Sequence, residues 1–277
     1  MKESIERLLE GSIDSHIHMG PDAYRLRIAD AHELAIQAKN LGMKGVVLKS
    51  HDYPTAPLAQ MANKIVQGVE IIGSLCLNDG VGGINPNAVE VSARIGAKVL
   101  WMPTFSTFTK KDGQGIVQRI FILGNDGKVL PEIKEVLALV KEFDLVLCTG
   151  HISKEEIVAL FAEAQKMAIT KFVLTHPLQG DGTVLDIQLQ KELAEKGAFF
   201  EHCFISTMHK MPMQKIVETI RYVGVERCIF STDLGQLNNP PPWVGIRMML
   251  ESLLQCGLSE KEISILVKKN PCFLLNL

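Results

Sequence analysis

The sequence lacks several features that mark membrane, secreted or nucleic-acid-binding proteins. No run approaches the roughly eighteen consecutive apolar residues that a membrane span needs. The first eleven residues mix charged and apolar side chains, unlike the uninterrupted apolar stretch of a signal peptide. A formal net charge of −2 leaves no basic excess to attract nucleic acid or an anionic membrane. These absences predict a cytoplasmic protein with neither kind of partner.

The cysteines also lack an ordered spacing. Six are present, none in a CxxC pair, and several lie inside apolar runs. That distribution is typical of buried free thiols rather than a disulfide framework. We therefore expect reduced cysteines, in keeping with a reducing compartment.

The sequence does contain a regular alternation of strand and helix patterns. Eight short apolar or β-branched runs are separated by longer segments with helical periodicity, which is typical of βα units in a parallel sheet. The runs cover residues 12–18, 45–51, 70–77, 97–102, 145–149, 171–175, 198–204 and 228–232. The clearest helical segments are residues 30–41, 131–143, 153–167 and 212–223. The sequence therefore predicts one domain, residues 1–277, with the α/β architecture of a (β/α)8 TIM barrel, a fold whose usual length is about 250 residues.

Two connections are longer than a plain loop. In residues 103–130, which follow the fourth run, the turn signal Asn125-Asp126-Gly127 predicts a β-hairpin excursion. The glycine-rich part, residues 110–128, is predicted to cover the barrel mouth. Residues 235–245 contain three consecutive prolines and are expected to form neither helix nor central strand.

The most informative short motif is Asp14-Ser15-His16-Ile17-His18 at the end of the first run. Side chains two apart on a strand point to the same side, so His16 and His18 face one point. Imidazole nitrogens inside a barrel need partners, and a bound metal supplies a partner for both rings.

Further residues with ligand side chains follow other runs. His151 comes two residues after the fifth run, His176 directly after the sixth and Asp233 directly after the eighth. In a barrel these strand ends meet over one mouth. Imidazoles with one carboxylate suit zinc, and also iron, manganese, cobalt or nickel. The sequence therefore predicts a divalent metal site formed by His16, His18, His151, His176 and Asp233.

This order of residues resembles the amidohydrolase superfamily of metal-dependent hydrolases over nearly the whole chain. The resemblance rests on His-x-His, His, His and Asp at strands one, five, six and eight, with the tail residues 268–275 similar to the terminal helix of that family. It implies a barrel hydrolase in which a metal-activated water attacks a small-molecule amide, ester, lactone or phosphoester. It also implies that Asp233 binds the metal and acts as the catalytic proton acceptor.

The fourth run departs from the family pattern. Many members place a bridging lysine carbamate or glutamate at the end of strand four, whereas this sequence reads Lys98-Val99-Leu100-Trp101-Met102 there. We therefore favour one metal over two. The departure also leaves open the decarboxylase branch of the superfamily, which includes aminocarboxymuconate semialdehyde decarboxylase.

The second and seventh runs add candidate substrate-binding residues. Lys49 and His51 share parity, and a lysine within an apolar run must reach solvent or a partner. We expect Lys49 at the mouth as a catalytic or substrate-binding group, or as a carbamate bridge; a structural ion pair is the alternative. Glu201 and His202 have opposite parity, so only one can face the barrel interior. Glu201 is preferred, and His202 stays open.

Two classes of function remain to be compared. A barrel that has become a non-catalytic binding protein is the rival to an enzyme, because a fold does not fix its function. The presence of all five expected ligands favours the enzyme. A small-molecule substrate is the partner that this chemistry predicts, and the sequence is compatible with a homo-oligomer.

Overall fold

The structure is a computed structural model that describes residues 1–107, 111–112, 115–116, 120–179 and 183–277, with the backbone alone at 111–112 and 115–116. In these residues eight parallel strands pair in sequence order to form the barrel. The strands are β1 (Ile13–His18), β2 (Gly45–Lys49), β3 (Glu70–Cys76), β4 (Ala97–Trp101), β5 (Val146–Cys148), β6 (Phe172–Thr175), β7 (Phe199–Cys203) and β8 (Cys228–Ser231). The predicted (β/α)8 TIM barrel is confirmed.

The barrel closes between β1 and the residues that follow β8. The amide of Asp233 donates to the carbonyl of His16 at 2.8 Å, and the amide of His18 donates to the carbonyl of Leu234 at 2.8 Å. The closure therefore joins three of the predicted ligands through the backbone.

Helices cover the outside of the barrel and its ends. They span Lys2–Leu9, Ala31–Asn40, Ala56–Ile65, Pro86–Arg94, Pro131–Glu142, Lys154–Lys166, Ile187–Glu195, Ile205–Met208, Met213–Val223, Pro242–Gln255, Glu260–Ser264 and Asn270–Leu275. Shorter 3-10 turns lie at Asp79–Val81, Phe105–Thr107 and Val225–Arg227, and a π-helical turn at Ile265–Lys269. The four helical segments with the clearest periodicity are confirmed. Within the described residues, no helix is both long enough and apolar enough to span a bilayer.

Two apolar layers hold the fold together. The larger one lies between the strands and the surrounding helices. The smaller one fills the barrel interior, and includes Ile13, Val99 and Trp101 from the strands together with Leu274 and Leu275 from the last helix. That helix therefore contributes to the interior packing of the barrel. All six cysteines are free thiols, and four of them are buried.

The long connections differ in part from expectation. The turn at Asn125-Asp126-Gly127 does form a hairpin, with an antiparallel bridge between Leu123 and Val129. Ile122 is fully buried in the main core, so this end of the predicted cover is part of the packed barrel. Elsewhere in the predicted cover, Lys111–Asp112 and Gly115–Ile116 form two short antiparallel strands, whereas 110, 113–114 and 117–119 lie outside the described residues.

The expectation that residues 235–245 contain no helix is wrong for residues 242–245. A helix begins at Pro242 and runs to Gln255. Proline is tolerated in the first turn of a helix because the backbone N–H it lacks has no partner there in any case. The proline run therefore leads into the helix.

Candidate active site

A single pocket at the carboxyl ends of the strands contains most of the predicted site residues. Its volume is about 210 Å³, which suits a small molecule, and its walls include His18, His151, His176 and Asp233. Lys49 and His51 line the same pocket. The structure therefore places at one mouth residues that are far apart in the sequence.

An irregularity in β1 determines the direction in which the side chains of His16 and His18 point. The pairing of β1 with β2 shifts register between Asp14 and Ile17. As a result Ile13 packs in the barrel interior, whereas Ile17 packs in the outer layer. The bulge turns the end of the strand, so that His16 and His18 both point inward; bulges commonly re-aim side chains in this way.

Two imidazole nitrogens and one carboxylate oxygen of Asp233 meet at the mouth of the barrel. The Oδ1 of Asp233 lies 3.1 Å from Nε2 of His16 and 2.9 Å from Nε2 of His18. All three side chains are buried, and their ligand atoms lie within 4.8 Å of one another. This cluster, His16, His18 and Asp233, is the candidate metal centre.

The geometry of the centre fits a divalent metal. Ligands about 2.0 Å from a tetrahedral zinc ion lie about 3.3 Å from one another, close to the separations around Asp233. The Nδ1 of His16 lies 3.2 Å from Oε2 of Glu201. Because that carboxylate accepts a hydrogen bond from Nδ1–H, the Nε2 of His16 presents a lone pair to Asp233. Two acceptors facing one another need a cation beside them, and the ammonium of Lys49 lies 2.8 Å from that Nε2. Two imidazoles and one carboxylate are also a donor set that suits a zinc-type ion.

His151 and His176 form a second pair in the same pocket. Their Nε2 atoms lie 3.2 Å apart, a separation that either one shared cation or an N–H···N hydrogen bond can produce. The ring of His176 lies 6.3 Å from that of His16, centroid to centroid. The structure therefore brings all five predicted ligands to the mouth, as a group of three beside a group of two.

The backbone at these strand ends is strained. His176 has φ 29° and Asp233 has φ 55°, both in the left-handed region that costs a residue with a side chain about 1–3 kcal/mol. Gly150, which precedes His151, has φ 56°, and an added Cβ there would lie 2.3 Å from the carbonyl oxygen of Met102. Such strain clusters at functional sites.

Lys49 extends into the site from β2. Its Nζ lies 2.8 Å from Nε2 of His16 and 4.8 Å from the ring centroid of Trp101. Although Lys49 is fully buried, its ammonium faces an imidazole lone pair instead of a carboxylate. Its partner is therefore a predicted metal ligand, and the alternative of a structural ion pair finds no support in these contacts.

Glu201 faces the barrel interior as preferred, but it does not line the pocket. Oε2 contacts Nδ1 of His16 at 3.2 Å, and Oε1 accepts from the hydroxyl of Ser231 at 2.9 Å. Both oxygens of Glu201 are thus engaged beneath His16, and its substrate contact stays a prediction. A carboxylate behind a ligating histidine fixes the orientation and tautomer of the ring.

His202, the alternative to Glu201, lies on the other face of β7. Its ring is 6.4 Å from that of Phe230, which belongs to the layer between strands and helices. The structure therefore places His202 away from the barrel interior, and its substrate contact stays a prediction. Burial lowers the pKa of His202 to about 3, so its ring is neutral.

Burial sets the charge of the other groups in the site. It lowers the pKa of His16, His18, His51 and His151 well below the usual range, which keeps these rings neutral and able to act as ligands. Burial also raises the pKa of Glu201 to about 7, while Lys49 acts in the opposite direction.

Several contributing residues carry no obvious signal in the sequence. Trp101 ends β4, where a bridging ligand would stand, and its ring lies 5.4 Å from that of His16. Phe105 lies 3.9 Å from His51, ring centroid to ring centroid. Strand parity could have placed Trp101 in the interior, whereas Phe105 lies in a turn whose direction no local pattern specifies.

Comparison with known proteins identifies the family of the chain. Residues 11–201 match the model described as "Family of unknown function (DUF6282)". The chain belongs to this family. No curated protein matches the chain in sequence.

Solved structures of low sequence identity share the whole fold. An amidohydrolase from Pseudomonas aeruginosa has a TM-score of 0.68 at 13% identity, covering 99% of this chain and 98% of its own. A lactonase from Listeria monocytogenes has a TM-score of 0.66 at 16% identity, covering 98% and 95%. A 2,6-dihydroxybenzoate decarboxylase from Rhizobium has a TM-score of 0.54 at 14% identity, covering 96% and 99%. The expected resemblance to the amidohydrolase superfamily is confirmed at the level of the fold.

Proposed function

We propose that the protein is a metal-dependent hydrolase of small molecules, acting on an amide, ester, lactone or phosphoester. The observation that carries the proposal is the convergence of His16, His18 and Asp233 at the mouth of the barrel, with Oδ1 of Asp233 within 3.1 Å of both imidazoles. A binding protein that performed no chemistry would not need these buried groups at the strand ends, where barrel enzymes place their catalytic residues.

The cofactor we propose is one divalent ion, most simply zinc, held by His16, His18 and Asp233, with His151 and His176 completing the set. When bound, such an ion lowers the pKa of water and polarises the electrophilic oxygen. Trp101 at the end of β4 offers no bridging oxygen, which supports one ion rather than two.

Three side chains then have defined roles in the reaction. Asp233 accepts the proton of the attacking water at a carboxylate oxygen and returns it to the leaving group. Glu201 holds His16 through Nδ1, which keeps Nε2 free for the ion. His51, whose ring stacks on that of His18 with 4.7 Å between centroids, lines the pocket and offers a polar contact to the substrate.

The alternative reaction is a decarboxylation. The likeness to the Rhizobium decarboxylase favours it, as does the absence of a strand-four ligand among the described residues of β4. Both reactions would use the cluster of His16, His18 and Asp233. They differ in that hydrolysis consumes water, whereas decarboxylation releases carbon dioxide.

The test is a substrate screen on protein stripped of metal and on the same protein reloaded with zinc. Lactones, amides, phosphoesters and carboxylic acids are assayed in parallel, with carbon dioxide release monitored for the acids. The proposal predicts that the reloaded protein alone hydrolyses one of the first three groups. Turnover of an acid with release of carbon dioxide would support the alternative, and equal turnover without metal would exclude both.

A further inference from the structure

The outer wall of the pocket carries a cation that has no ion-pair partner among the described residues. Arg25, in the loop after β1, lines the pocket, and its guanidinium carbon lies 4.1 Å from the ring centroid of Phe105. With the residues that the structure describes, its side chain forms neither an ion pair nor a hydrogen bond. None of its five N–H donors is therefore occupied by a described residue, and all of them can bind a ligand.

The neighbouring arginine is already neutralised. The guanidinium of Arg27 lies 2.6 Å from Oδ2 of Asp22, and Asp22 Oδ1 accepts the backbone amides of Tyr24 and Arg25 at 2.9 Å each. The loop is thus held by one carboxylate, which fixes the position from which Arg25 extends. Asp52, the other acid that interacts electrostatically with both arginines, forms no ion pair among the described residues.

A chain of hydrogen bonds determines what His51 presents to the pocket. Asn78 Oδ1 accepts the backbone amide of Thr104 at 2.8 Å, so its amide nitrogen is the donor to Thr104 Oγ1 at 2.7 Å. The Thr104 hydroxyl already accepts from Asn78, and in the hydrogen-bond pattern of the described residues its own proton is directed to Nδ1 of His51, 2.8 Å away. An imidazole that accepts a hydrogen bond at Nδ1 carries its proton on Nε2, so His51 is a donor toward the pocket.

The charge of the pocket walls points to one class of ligand. Arg25, Arg27 and Lys49 supply three positive charges, while Asp233 is the only carboxylate among the described lining residues. Because Arg27 is paired with Asp22 and Lys49 lies deep beside His16, the positive charge that a ligand can reach at the outer wall is that of Arg25. One free guanidinium balances a single negative charge, and its planar fork matches the two oxygens of a carboxylate.

We propose that the substrate carries a carboxylate that binds Arg25 at the outer wall, while its reactive carbonyl lies between His51 and Asp233. The position of the reactive group rests on the proposed function, whereas the carboxylate contact does not. The hydrolase would thus act on a small lactone, ester or amide that is itself an acid.

The test is isothermal titration of the whole purified protein with glutarate, with its neutral diamide glutaramide, and with inorganic phosphate. None of these needs turnover to be detected. We expect glutarate to bind at least tenfold more tightly than glutaramide or phosphate. Arg25→Gln should weaken glutarate binding at least tenfold, and Arg94→Gln, which removes an exposed arginine paired with Glu90 on a surface helix, should not change it.

The same titrations also define the results that would contradict the proposal. The proposal is overturned if glutarate does not bind, if the diamide or phosphate binds as well as glutarate, or if Arg25→Gln binds glutarate like the unmodified protein. Thermal unfolding of both variants checks that they fold. If binding follows the prediction while the substrate screen finds no hydrolysis, the carboxylate site stands and the proposed function fails.

Discussion

The ammonium of Lys49 and the Nε2 of His16 lie 2.8 Å apart inside the barrel. That nitrogen is also the atom of His16 that faces Asp233, so a metal held by His16 and Asp233 must share it or displace the lysine. Lys49 therefore either competes with the metal as a cation or serves it after conversion to an anionic carbamate. The two roles have opposite consequences for metal affinity.

The variant Lys49→Met distinguishes these roles. Methionine is similar in length and removes the charge, so a competing ammonium predicts that metal affinity rises, by about tenfold if about 1.4 kcal/mol of competition is lost. Metal affinity is measured by competition with a fluorescent chelator. Lys64→Met, on an exposed helical position, is the matched control. A fall in affinity, with release of one of two ions, would instead identify Lys49 as a bridge.

Asp233→Asn should reduce turnover by about 10²–10⁴-fold while the fold survives, because an amide cannot accept a proton at neutral pH. Asparagine suits this position, since Asp233 has φ 55° and asparagine tolerates the left-handed region. Turnover is measured together with circular dichroism. Retention of full activity would show that Asp233 is not the proton acceptor.

Glu201 should influence the metal through His16 alone. Glu201→Leu removes the acceptor for Nδ1 of His16 and should weaken metal binding by about 10–100-fold, the usual effect of losing such a partner. Glu201→Gln keeps an oxygen in place and should bind metal more tightly than the leucine variant. Equal metal affinity in both variants and in the unmodified protein would contradict the orienting role.

Thr104→Val should lower turnover more than it changes the apparent affinity for substrate, because the hydroxyl that fixes the proton of His51 on Nε2 is lost. Thr104→Ser, which restores the hydroxyl, should recover activity. The nitrogen chemical shifts of the His51 imidazole report its tautomer directly. If the valine variant keeps the Nε2–H form of the unmodified protein, Thr104 does not set the tautomer.

Strand parity and strand-end position made much of this site predictable. His16 and His18 meet because they are two apart, and His151, His176 and Asp233 lie at the mouth because parallel strands end there together. The same reasoning placed Glu201 in the interior, since it shares parity with Phe199.

Depth and direction within the barrel were not predictable from these patterns. Parity gives the face of a strand, but Glu201 is one layer too deep to reach the pocket, which only the bonds to His16 and Ser231 reveal. The bulge in β1 turns Ile13 and Ile17 to different layers although they are four apart, because it depends on pairing with β2. The position of Phe105 depends likewise on a turn after β4.

The most direct test of the metal centre is the metal content of the purified protein, measured by inductively coupled plasma mass spectrometry beside a variant carrying both His16→Ala and His18→Ala. His32→Ala, on an exposed helical position, serves as the control. If His16 and His18 hold the metal, we expect one divalent transition metal per chain in the unmodified protein and in the control, and its loss in the double variant. Full metal occupancy in the double variant, or no metal in the unmodified protein even after incubation with zinc, would contradict this assignment.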